Sequence, residues 1–256
     1  ESGFRVAMVT SVGAQILDRE YETGFHTTTP SSFQLQNYIK KAVAANCDYL
    51  VLEVTSHALD QNRVHGIDFE IGVITNITHE HLDYHGSFDT YVRTKSKLLS
   101  RARIAILNQD DASFNTLKSI ISNKDTINYS LNNKNGFRFP EQARFNISNF
   151  LAAISVAKVI GIDRVIIQKA LFNFKMPEGR QEVVYDEEFR VIIDFAHTPN
   201  AFENVLPEIK KNTRGNLIHV FGAAGQRDKS KRPLMGKISS RFSDVIILTV
   251  EDPRSE

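Results

Sequence analysis

The chain has 256 residues, of which 41% are hydrophobic and 24% charged, and its formal net charge is +1. This is an ordinary globular composition with room for one large or two modest domains, and the balanced charge argues against binding to nucleic acid or to an anionic membrane. The single cysteine excludes an internal disulfide framework, and no apolar run reaches the roughly 20 residues of a membrane span. The start of the sequence shows no signal-peptide pattern, so we expect a cytoplasmic protein.

Strand and helix patterns alternate through the first part of the chain. Predicted strands cover residues 4–10, 49–54, 71–75 and 104–107. Predicted helices cover residues 30–45, 88–101, 147–160 and 165–172, with Ser31 or Ser32 as the first N-cap and Gly161 as a helix stop. The polar segment 123–142 is expected to be a loop or the remnant of a small insertion. Such alternation predicts a parallel α/β sheet.

The alternation restarts after a Met-Pro-Glu-Gly segment at residues 176–179, which suggests a domain boundary. Predicted strands then cover residues 191–195, 217–221 and 245–250, and predicted helices cover 201–211 and 233–242. The turn from Gly222 to Gly225 precedes a basic QRDKSKRP segment. Such a turn suits a phosphate or carboxylate, although a solvated basic turn is an equally good interpretation.

Polar side chains follow two of the predicted strands. The first cluster comprises Glu53, Thr55, Ser56 and His57, and the second comprises Asn76, His79, Glu80, His81, Asp83 and His85. Ligands bind beyond the carboxyl ends of parallel strands, so two adjacent polar strand ends predict one active site. Carboxylate and imidazole groups favour Mg²⁺ or Mn²⁺ beside phosphate, or Zn²⁺ if three histidines converge. The spacing of these residues does not distinguish between the metals. Asp194 and His197 form a further candidate pair at a strand end.

Eight motifs occur in order along almost the whole chain: HTTTP, EVTSHALDQNRV, TNITHEHLDYHGSFDTYVRTK, FNISNFLAAI, EGRQEV, DFAHTPNA, FGAAGQRDKSKRPLMG and EDPRSE. This series closely resembles the Mur ligases, in particular the UDP-N-acetylmuramoyl-tripeptide synthetases. The resemblance implies an α/β fold with the central mononucleotide-binding (ATP-binding) parallel sheet of that family in residues 1–177. Residues 178–256 would then form part of a C-terminal Rossmann-like domain.

The resemblance also implies a reaction, the ATP-dependent extension of a peptidoglycan precursor. ATP would phosphorylate the terminal carboxylate of UDP-N-acetylmuramoyl-L-alanyl-D-glutamate, and the amine of a free amino acid would then displace phosphate. Cations must neutralise the charge on the transferring phosphoryl group. By resemblance, Glu53 and His81 hold Mg²⁺ and Lys95 matches a lysine that the family carbamylates, although an exposed helix lysine is the plain alternative. A monomer is expected.

Other positions match ligand contacts of the family. The positions implied to bind the UDP-sugar-peptide are Thr27, Thr28, Thr29, Thr55, Gln61 and Arg63. The positions implied to bind ATP are Asn76, at the adenine, with Arg180 and Asp194. The positions implied to bind the incoming amino acid are Arg227, Glu251, Asp252 and Arg254.

Three departures from the family pattern affect the expected activity. No phosphate-cradling GxxGKT loop occurs in the chain, the sequence stops at EDPRSE, and Asp252 replaces the usual asparagine of a DNPR motif. We therefore expect an incomplete ligase that is inactive in isolation. The alternatives are an inactive module that binds the UDP-sugar-peptide, or a related ligase on another peptide, and the HTTTP and QNRV pieces favour the muramoyl peptide.

The third amino acid is predicted from one motif. Arg254 offers a fork for the second carboxylate of diaminopimelate, whereas Asp252 would suit the ammonium of lysine. Diaminopimelate is favoured over lysine.

Overall fold

The computed structural model describes residues 1–23, 28–78, 80–140, 143–226 and 228–255, without the side chain of Leu82. The chain packs as two compact units. The first unit comprises Glu1–Ile77, Asp89–Pro140 and Ile147–Lys175, and the second comprises Thr78–Phe88, Glu141–Asn146 and Met176–Glu256. The domain division predicted between residues 177 and 178 stays a prediction.

The first unit contains two β-sheets. The four-stranded sheet has the order β3-β2-β1-β4, with strands β1 (Val6–Val9), β2 (Ala14–Ile16), β3 (Arg19–Tyr21) and β4 (Tyr49–Leu52). The three-stranded sheet has the order β5-β6-β7, with strands β5 (Phe69–Ile74), β6 (Ala102–Asn108) and β7 (Asp125–Tyr129). β1 pairs parallel with β4 but antiparallel with β2, and β2 pairs antiparallel with β3, so the four-stranded sheet is mixed. β5, β6 and β7 are all parallel, so the predicted α/β fold with a parallel sheet is confirmed.

Seven helices occur in the described residues up to 175, and the third of them lies in the second unit. They are α1 (Ser32–Ala44), α2 (Ser56–Asp60), α3 (Leu82–His85), α4 (Phe88–Arg101), α5 (Phe114–Ile120), α6 (Arg144–Val159) and α7 (Arg164–Asn173). α1 begins at a capping box in which Ser31 and Gln34 bond each other's backbone N–H groups. Its buried residues Leu35, Tyr38 and Ala42 recur at helical spacing and so form one apolar face.

The buried residues of the first unit form separate clusters in which strands pack against helices. Ala7 and Val9 of β1 are fully buried in one cluster, and Ile106 of β6 is fully buried in another. Gly72 lets β5 approach the start of β6, because a Cβ atom there would lie 2.8 Å from the Ala102 Cβ. This packing leaves the carboxyl ends of the strands to carry polar residues.

The second unit has a smaller core. β8 (Glu182–Asp186) and β9 (Arg190–Ile193) form an antiparallel pair, and β10 (Ile218–Phe221) and β11 (Val245–Leu248) form a parallel pair. Helices α8 (Pro199–Lys211) and α9 (Lys231–Phe242) follow β9 and β10. Four of their residues, Phe202, Leu206, Met235 and Ile238, form a buried cluster against which Phe221 packs. This alternation agrees with the predicted Rossmann-like segment.

Two expectations are corrected. The prediction of a loop across 123–142 is wrong at β7, which is an edge strand with only two apolar residues, Ile127 and Tyr129, so its alternation is weak. The strands β4 and β5 are not adjacent partners in the described sheets, because each lies at the edge of its own sheet. Leu52 and Phe69 nevertheless pack against the same buried cluster of Leu35, Leu59 and Val64.

Candidate active site

Glu53 stands at the carboxyl end of β4, beside the end of β1. Its backbone N–H donates to the Val9 carbonyl at 2.9 Å, which continues the parallel ladder by one residue. Its carboxylate accepts a hydrogen bond from the Ser11 backbone N–H at 2.8 Å, and the side chain is exposed. The turn after β1 therefore orients an exposed carboxylate at the edge where parallel sheets bind ligands.

Thr29 lies behind this carboxylate and is only 1% exposed. Its hydroxyl donates to the Glu53 carbonyl at 2.9 Å and accepts from the Thr55 backbone N–H at 3.0 Å. Thr55 is the N-cap of α2, and its own hydroxyl accepts from the Ala58 N–H at 3.1 Å. One buried hydroxyl thus fixes both the end of β4 and the start of α2.

Arg63 extends the same hydrogen-bond network to Gln61. One guanidinium nitrogen donates to the Thr29 carbonyl at 2.8 Å, and Nε donates to the Gln61 side-chain oxygen at 2.9 Å. The structure therefore brings together four predicted substrate-peptide positions, Thr29, Thr55, Gln61 and Arg63, together with Glu53. Thr28 is half-buried next to this network, and Thr27 lies outside the described residues.

Asn76 and Lys95 belong to the neighbouring part of the first unit. Asn76 is exposed just beyond β5, and its amide donates to the Thr75 hydroxyl at 3.4 Å. Lys95 is half-buried on α4, with its ammonium 5.2 Å from the centroid of the buried Tyr91 ring. A half-buried lysine has part of its surface available to a small reagent, but its carbamylation stays a prediction.

His81 lies in the second unit, in a left-handed conformation with φ of 57°, where its carbonyl accepts the His85 N–H at 3.0 Å and so starts α3. Its Nε2 is 3.8 Å from the Glu80 carboxylate, and His197 Nε2 is 3.7 Å from the same oxygen. The Glu80 carboxylate therefore lies within 4 Å of two imidazoles, His81 and His197, which the sequence patterns had assigned to separate clusters. His79 lies outside the described residues.

Arg180 and Asp194 meet at the end of β9. The Arg180 guanidinium lies 4.2 Å from the centroid of the Phe195 ring, a cation–π arrangement. The Asp194 carboxylate accepts from the backbone N–H groups of Gln181, at 2.9 Å, and Ala196, at 2.7 Å. The two predicted ATP contacts thus lie on two adjacent segments, one before β8 and one after β9, that are joined by these contacts.

His197 connects the segment after β9 to Glu80. The His197 and Phe195 ring centroids are 4.8 Å apart, and His197 Nδ1 lies 2.8 Å from the Phe195 carbonyl oxygen. Sequence reasoning did not single out Phe195, Gln181 or Ser11. Their neighbours in the EGRQEV and DFAHTPNA motifs were the available signal for the first two, whereas Ser11 acts through its backbone and leaves no side-chain signature.

The loops after β10 and β11 are in close backbone contact, and we call this contact between residues 222–225 and 249–253 the clasp. Gly225 N–H donates to the Asp252 carbonyl at 2.7 Å, and a Cβ atom on Gly225 would overlap the Pro253 carbonyl. A Cβ atom on Gly222 would lie 2.7 Å from the Thr249 carbonyl oxygen. The structure therefore gives these glycines a packing reason that sequence analysis did not supply.

The clasped loops position the predicted amino-acid contacts. Arg254 Nε donates to the Asp252 carboxylate at 3.3 Å, and each of these side chains is about one third exposed. Glu251 is exposed beside them. Arg227 lies outside the described residues.

No group of three or more His, Cys, Asp and Glu side chains in the described part of the chain is arranged to hold a metal ion. The predicted ligand set has only two such residues, Glu53 and His81, with Lys95 as the third. Glu53 and Lys95 belong to the first unit and His81 to the second. The assignment of these three residues to a metal stays a prediction.

Family models match both parts of this architecture. The Mur ligase middle domain matches residues 3–142, and the glutamate ligase domain of Mur ligases matches residues 179–256. The chain belongs to the Mur ligase family. No helix in the ranges that the structure describes has the length and apolar character of a membrane span.

This Mur ligase chain is also similar in sequence and structure to individual ligases. It is 34% identical over 283 residues to the UDP-N-acetylmuramoyl-L-alanyl-D-glutamate–2,6-diaminopimelate ligase of Clostridium botulinum, covering 100% of this chain and 58% of that protein. A solved structure of a ligase with that name has a TM-score of 0.69 at 29% identity, covering 99% of this chain and 57% of that one. The chain thus spans a little over half the length of these relatives.

A more distant solved structure shares the fold. A bifunctional folylpolyglutamate synthase/dihydrofolate synthase with Mn, AMPPNP and L-glutamate bound has a TM-score of 0.72 at 17% identity. It covers 96% of this Mur ligase chain, and 68% of its own chain is matched. At this identity the likeness concerns the fold.

Proposed function

We propose that the protein containing this chain is an ATP-dependent amide ligase of peptidoglycan synthesis. It adds the third amino acid, diaminopimelate in preference to lysine, to UDP-N-acetylmuramoyl-L-alanyl-D-glutamate in the cytoplasm. The observation that carries the proposal is 34% identity over the entire chain with the diaminopimelate ligase of Clostridium botulinum. Four of the family's substrate positions, Thr29, Thr55, Gln61 and Arg63, also form one hydrogen-bonded network, which supports the same reaction.

The network around Thr29 would hold the UDP-sugar-peptide. Thr28, Thr55 and Gln61 offer hydroxyl and amide groups, and Arg63 adds a fixed positive charge suited to an anionic substrate. Because Arg63 is tied to the Thr29 carbonyl and to Gln61, its position is set before substrate arrives. Such preorganisation lowers the entropic cost of orienting the reacting carboxylate.

The nucleotide and the metal would be bound by the positions that match the family's ligand contacts. Asn76 would contact adenine, while Arg180 and Asp194, held around Phe195, would contact other parts of ATP. Mg²⁺, when bound, supplies neutralisation of the charge on the transferring phosphoryl group. Glu53 fits that ion, because its exposed carboxylate is a hard oxygen donor already oriented by Ser11. His81, and Lys95 if carbamylated, would complete the protein ligands.

The chemistry then follows the acyl-phosphate route. The γ-phosphoryl group of ATP passes to the D-glutamyl carboxylate, the amine of the incoming amino acid attacks the activated carbonyl carbon, and phosphate leaves. Arg254 and Glu251 would orient the amino acid, with Asp252 and Arg227 beside them. The residues of the chain thus bind and orient reactants, and this positioning is most of the catalysis in phosphoryl transfer.

The test uses the gene product that contains this sequence. Phosphate release should require ATP, the UDP-linked dipeptide and an amino acid together, and mass spectrometry should detect the extended UDP-peptide. Glu53→Gln keeps an acceptor for the Ser11 N–H but removes the charge, so kcat should fall at least ~100-fold without loss of thermal stability. Phosphate release that is independent of the amino acid, or a fully active Glu53→Gln variant, would contradict the proposal.

The carbamate prediction has a separate test. Lys95→Ala should be nearly inactive and should be partly rescued by acetate or formate, which replace the missing carboxylate-like group. Lys97→Ala is the matched control, because Lys97 lies on the same helix, is about half exposed and pairs with Asp60 at 3.5 Å. Wild-type activity of Lys95→Ala, or no rescue by either acid, would show that Lys95 has another role.

A further inference from the structure

The carboxyl ends of β5, β6 and β7 lie side by side, because the three strands are parallel neighbours. This edge is where open parallel sheets bind ligands. Asn76 is exposed there, one residue beyond Thr75. A carboxamide offers one hydrogen-bond acceptor and two donors, so its orientation decides which ligand edge it accepts.

Both peptide groups that flank Asn76 are held from the end of β6. The Asn108 amide donates to the Thr75 carbonyl at 2.9 Å. The Asp111 carboxylate accepts from the Ile77 backbone N–H at 3.2 Å, and Ile77 is only 2% exposed. The backbone on each side of the exposed carboxamide is therefore fixed by a side chain that sequence analysis did not single out.

The loop that supplies these side chains is itself anchored. The same Asp111 oxygen accepts from the backbone N–H of Ser113 at 3.0 Å and from its hydroxyl, and Ser113 is 2% exposed. The neighbouring Asp110 also accepts hydrogen bonds, but from residues that follow β7: the Ser130 hydroxyl and the Leu131 N–H, each at 2.7 Å. Asp111 thus holds the β5 end, and Asp110 holds the β7 end.

We propose that Asn108 and Asp111 are positioning residues that set Asn76 for recognition of the adenine of ATP. This inference rests on the proposed function, in which Asn76 contacts adenine. Adenine presents an amino donor beside a ring-nitrogen acceptor, which a carboxamide of fixed orientation can bond at two points. Hypoxanthine replaces the amino donor with an oxygen acceptor, so a fixed carboxamide also discriminates ATP from ITP.

The test compares variants of the gene product that contains this sequence. Asn108→Asp is nearly isosteric but places an acceptor against the Thr75 carbonyl, and Asp111→Ala removes the acceptor for Ile77. Each should raise the KM for ATP by about 10-fold and reduce the preference for ATP over ITP, since a lost hydrogen bond of this kind has that magnitude. The KM for the UDP-linked dipeptide should stay unchanged, and Asp111→Asn, which keeps an acceptor, should restore the KM for ATP.

Asp110→Ala is the matched control, because it removes two bonds from the same loop on the side away from Asn76. Amide hydrogen exchange provides a readout independent of turnover. Exchange of the Ile77 N–H should accelerate in Asp111→Ala and stay unchanged in Asp110→Ala. If Asp111→Ala fails to fold, Asn108→Asp and Asp111→Asn still carry the comparison.

Each outcome has a defined meaning. Absence of ATP-dependent ligation by the wild-type protein would overturn the proposed function and this inference with it. An active wild type whose Asn108→Asp and Asp111→Ala variants keep the wild-type KM for ATP and the preference over ITP would overturn the inference alone. An equal rise in the KM for ATP in Asp110→Ala would do the same, because it would indicate general loosening of the loop.

Discussion

Single side chains in this protein hold backbone groups that secondary structure leaves unpaired. Thr29 is the clearest example, because its buried hydroxyl satisfies both the Glu53 carbonyl and the Thr55 N–H. A helix start has several N–H groups without intrahelical partners, and a strand end has unpaired carbonyls. One hydroxyl therefore stabilises the junction on which the exposed Glu53 carboxylate stands.

Replacing this hydroxyl should destabilise the fold. Thr29→Val keeps the side-chain volume but removes both bonds, so we expect the free energy of unfolding to fall by about 1–3 kcal/mol. Thr29→Ser is the matched control, because it keeps the hydroxyl and loses one methyl group. Urea denaturation of both variants gives the comparison, and equal stability of the two would show that the bonds contribute nothing.

At the scale of elements, the loops after β10 and β11 depend on close backbone contact. Gly225 bonds the Asp252 carbonyl, and no side chain fits between this glycine and Pro253. The clasp places Asp252 and Arg254 on one surface. The position of the proposed amino-acid contacts therefore depends on the close backbone contact at Gly225.

An alanine at Gly225 should open the clasp. The added methyl group forces the backbone apart, so we expect Gly225→Ala to lose about 1–3 kcal/mol of stability and to raise the KM for the amino acid. Gly236→Ala is the control, because Gly236 lies within α9 and a Cβ atom there would meet nothing within 4 Å. That variant should be as stable as wild type or up to about 1 kcal/mol more stable. Equal behaviour of the two alanine variants in denaturation and kinetics would refute the clasp.

β10 also carries a half-buried titratable group. His219 packs with ring-centroid distances of 4.7 Å to both Phe202 and Phe221, and its Nδ1 lies 2.8 Å from the Ser239 hydroxyl oxygen. Burial lowers the pKa of His219. The unfolded chain therefore binds a proton more readily than the native protein just below the ordinary histidine pKa of about 6.5.

Stability should consequently fall on acidification. The loss begins as the pH drops below about 6.5 and ends at the lower native pKa, with a slope from this group of at most about 1.4 kcal/mol per pH unit. Urea denaturation across this range should show a weaker pH dependence for His219→Gln than for wild type, and His65→Gln, at an exposed position, is the control for loss of a histidine. NMR titration of His219 giving a pKa at or above about 6.5 would contradict the expectation.

The accuracy of the predictions from sequence varies among the elements. The helix at Phe88–Arg101 agrees with its predicted bounds, because its pattern is long and amphipathic. The strands β7 and β8 were missed, because Asp125–Tyr129 and Glu182–Asp186 mix polar and apolar residues without a clean alternation. The clustering of Thr29, Thr55, Gln61 and Arg63 followed from family resemblance, whereas the support from Ser11, Asn108 and Asp111 depends on loop geometry that no local pattern encodes.

For the molecule as a whole, the remaining question about the proposed reaction is which amino acid it adds. The Clostridium botulinum relative is named as a 2,6-diaminopimelate ligase. Diaminopimelate carries a second carboxylate at its far end, where lysine has only an ammonium. Arg254 suits that carboxylate, but its Nε already donates to Asp252 at 3.3 Å. If Arg254 binds the amino acid as proposed, the distant carboxylate would compete with Asp252 for the guanidinium.

We expect diaminopimelate to win this competition, because an exposed Arg–Asp pair is worth only about 0.2–1 kcal/mol. In the complete gene product, kcat/KM should be higher for meso-diaminopimelate than for L-lysine, since that ratio measures discrimination. Asp252→Asn removes the competing charge and should raise kcat/KM for diaminopimelate roughly 2- to 5-fold. Arg254→Lys loses the bidentate fork and should lower it about 10-fold or more. A wild-type preference for L-lysine that disappears in Asp252→Asn would instead identify Asp252 as the residue that selects the substrate.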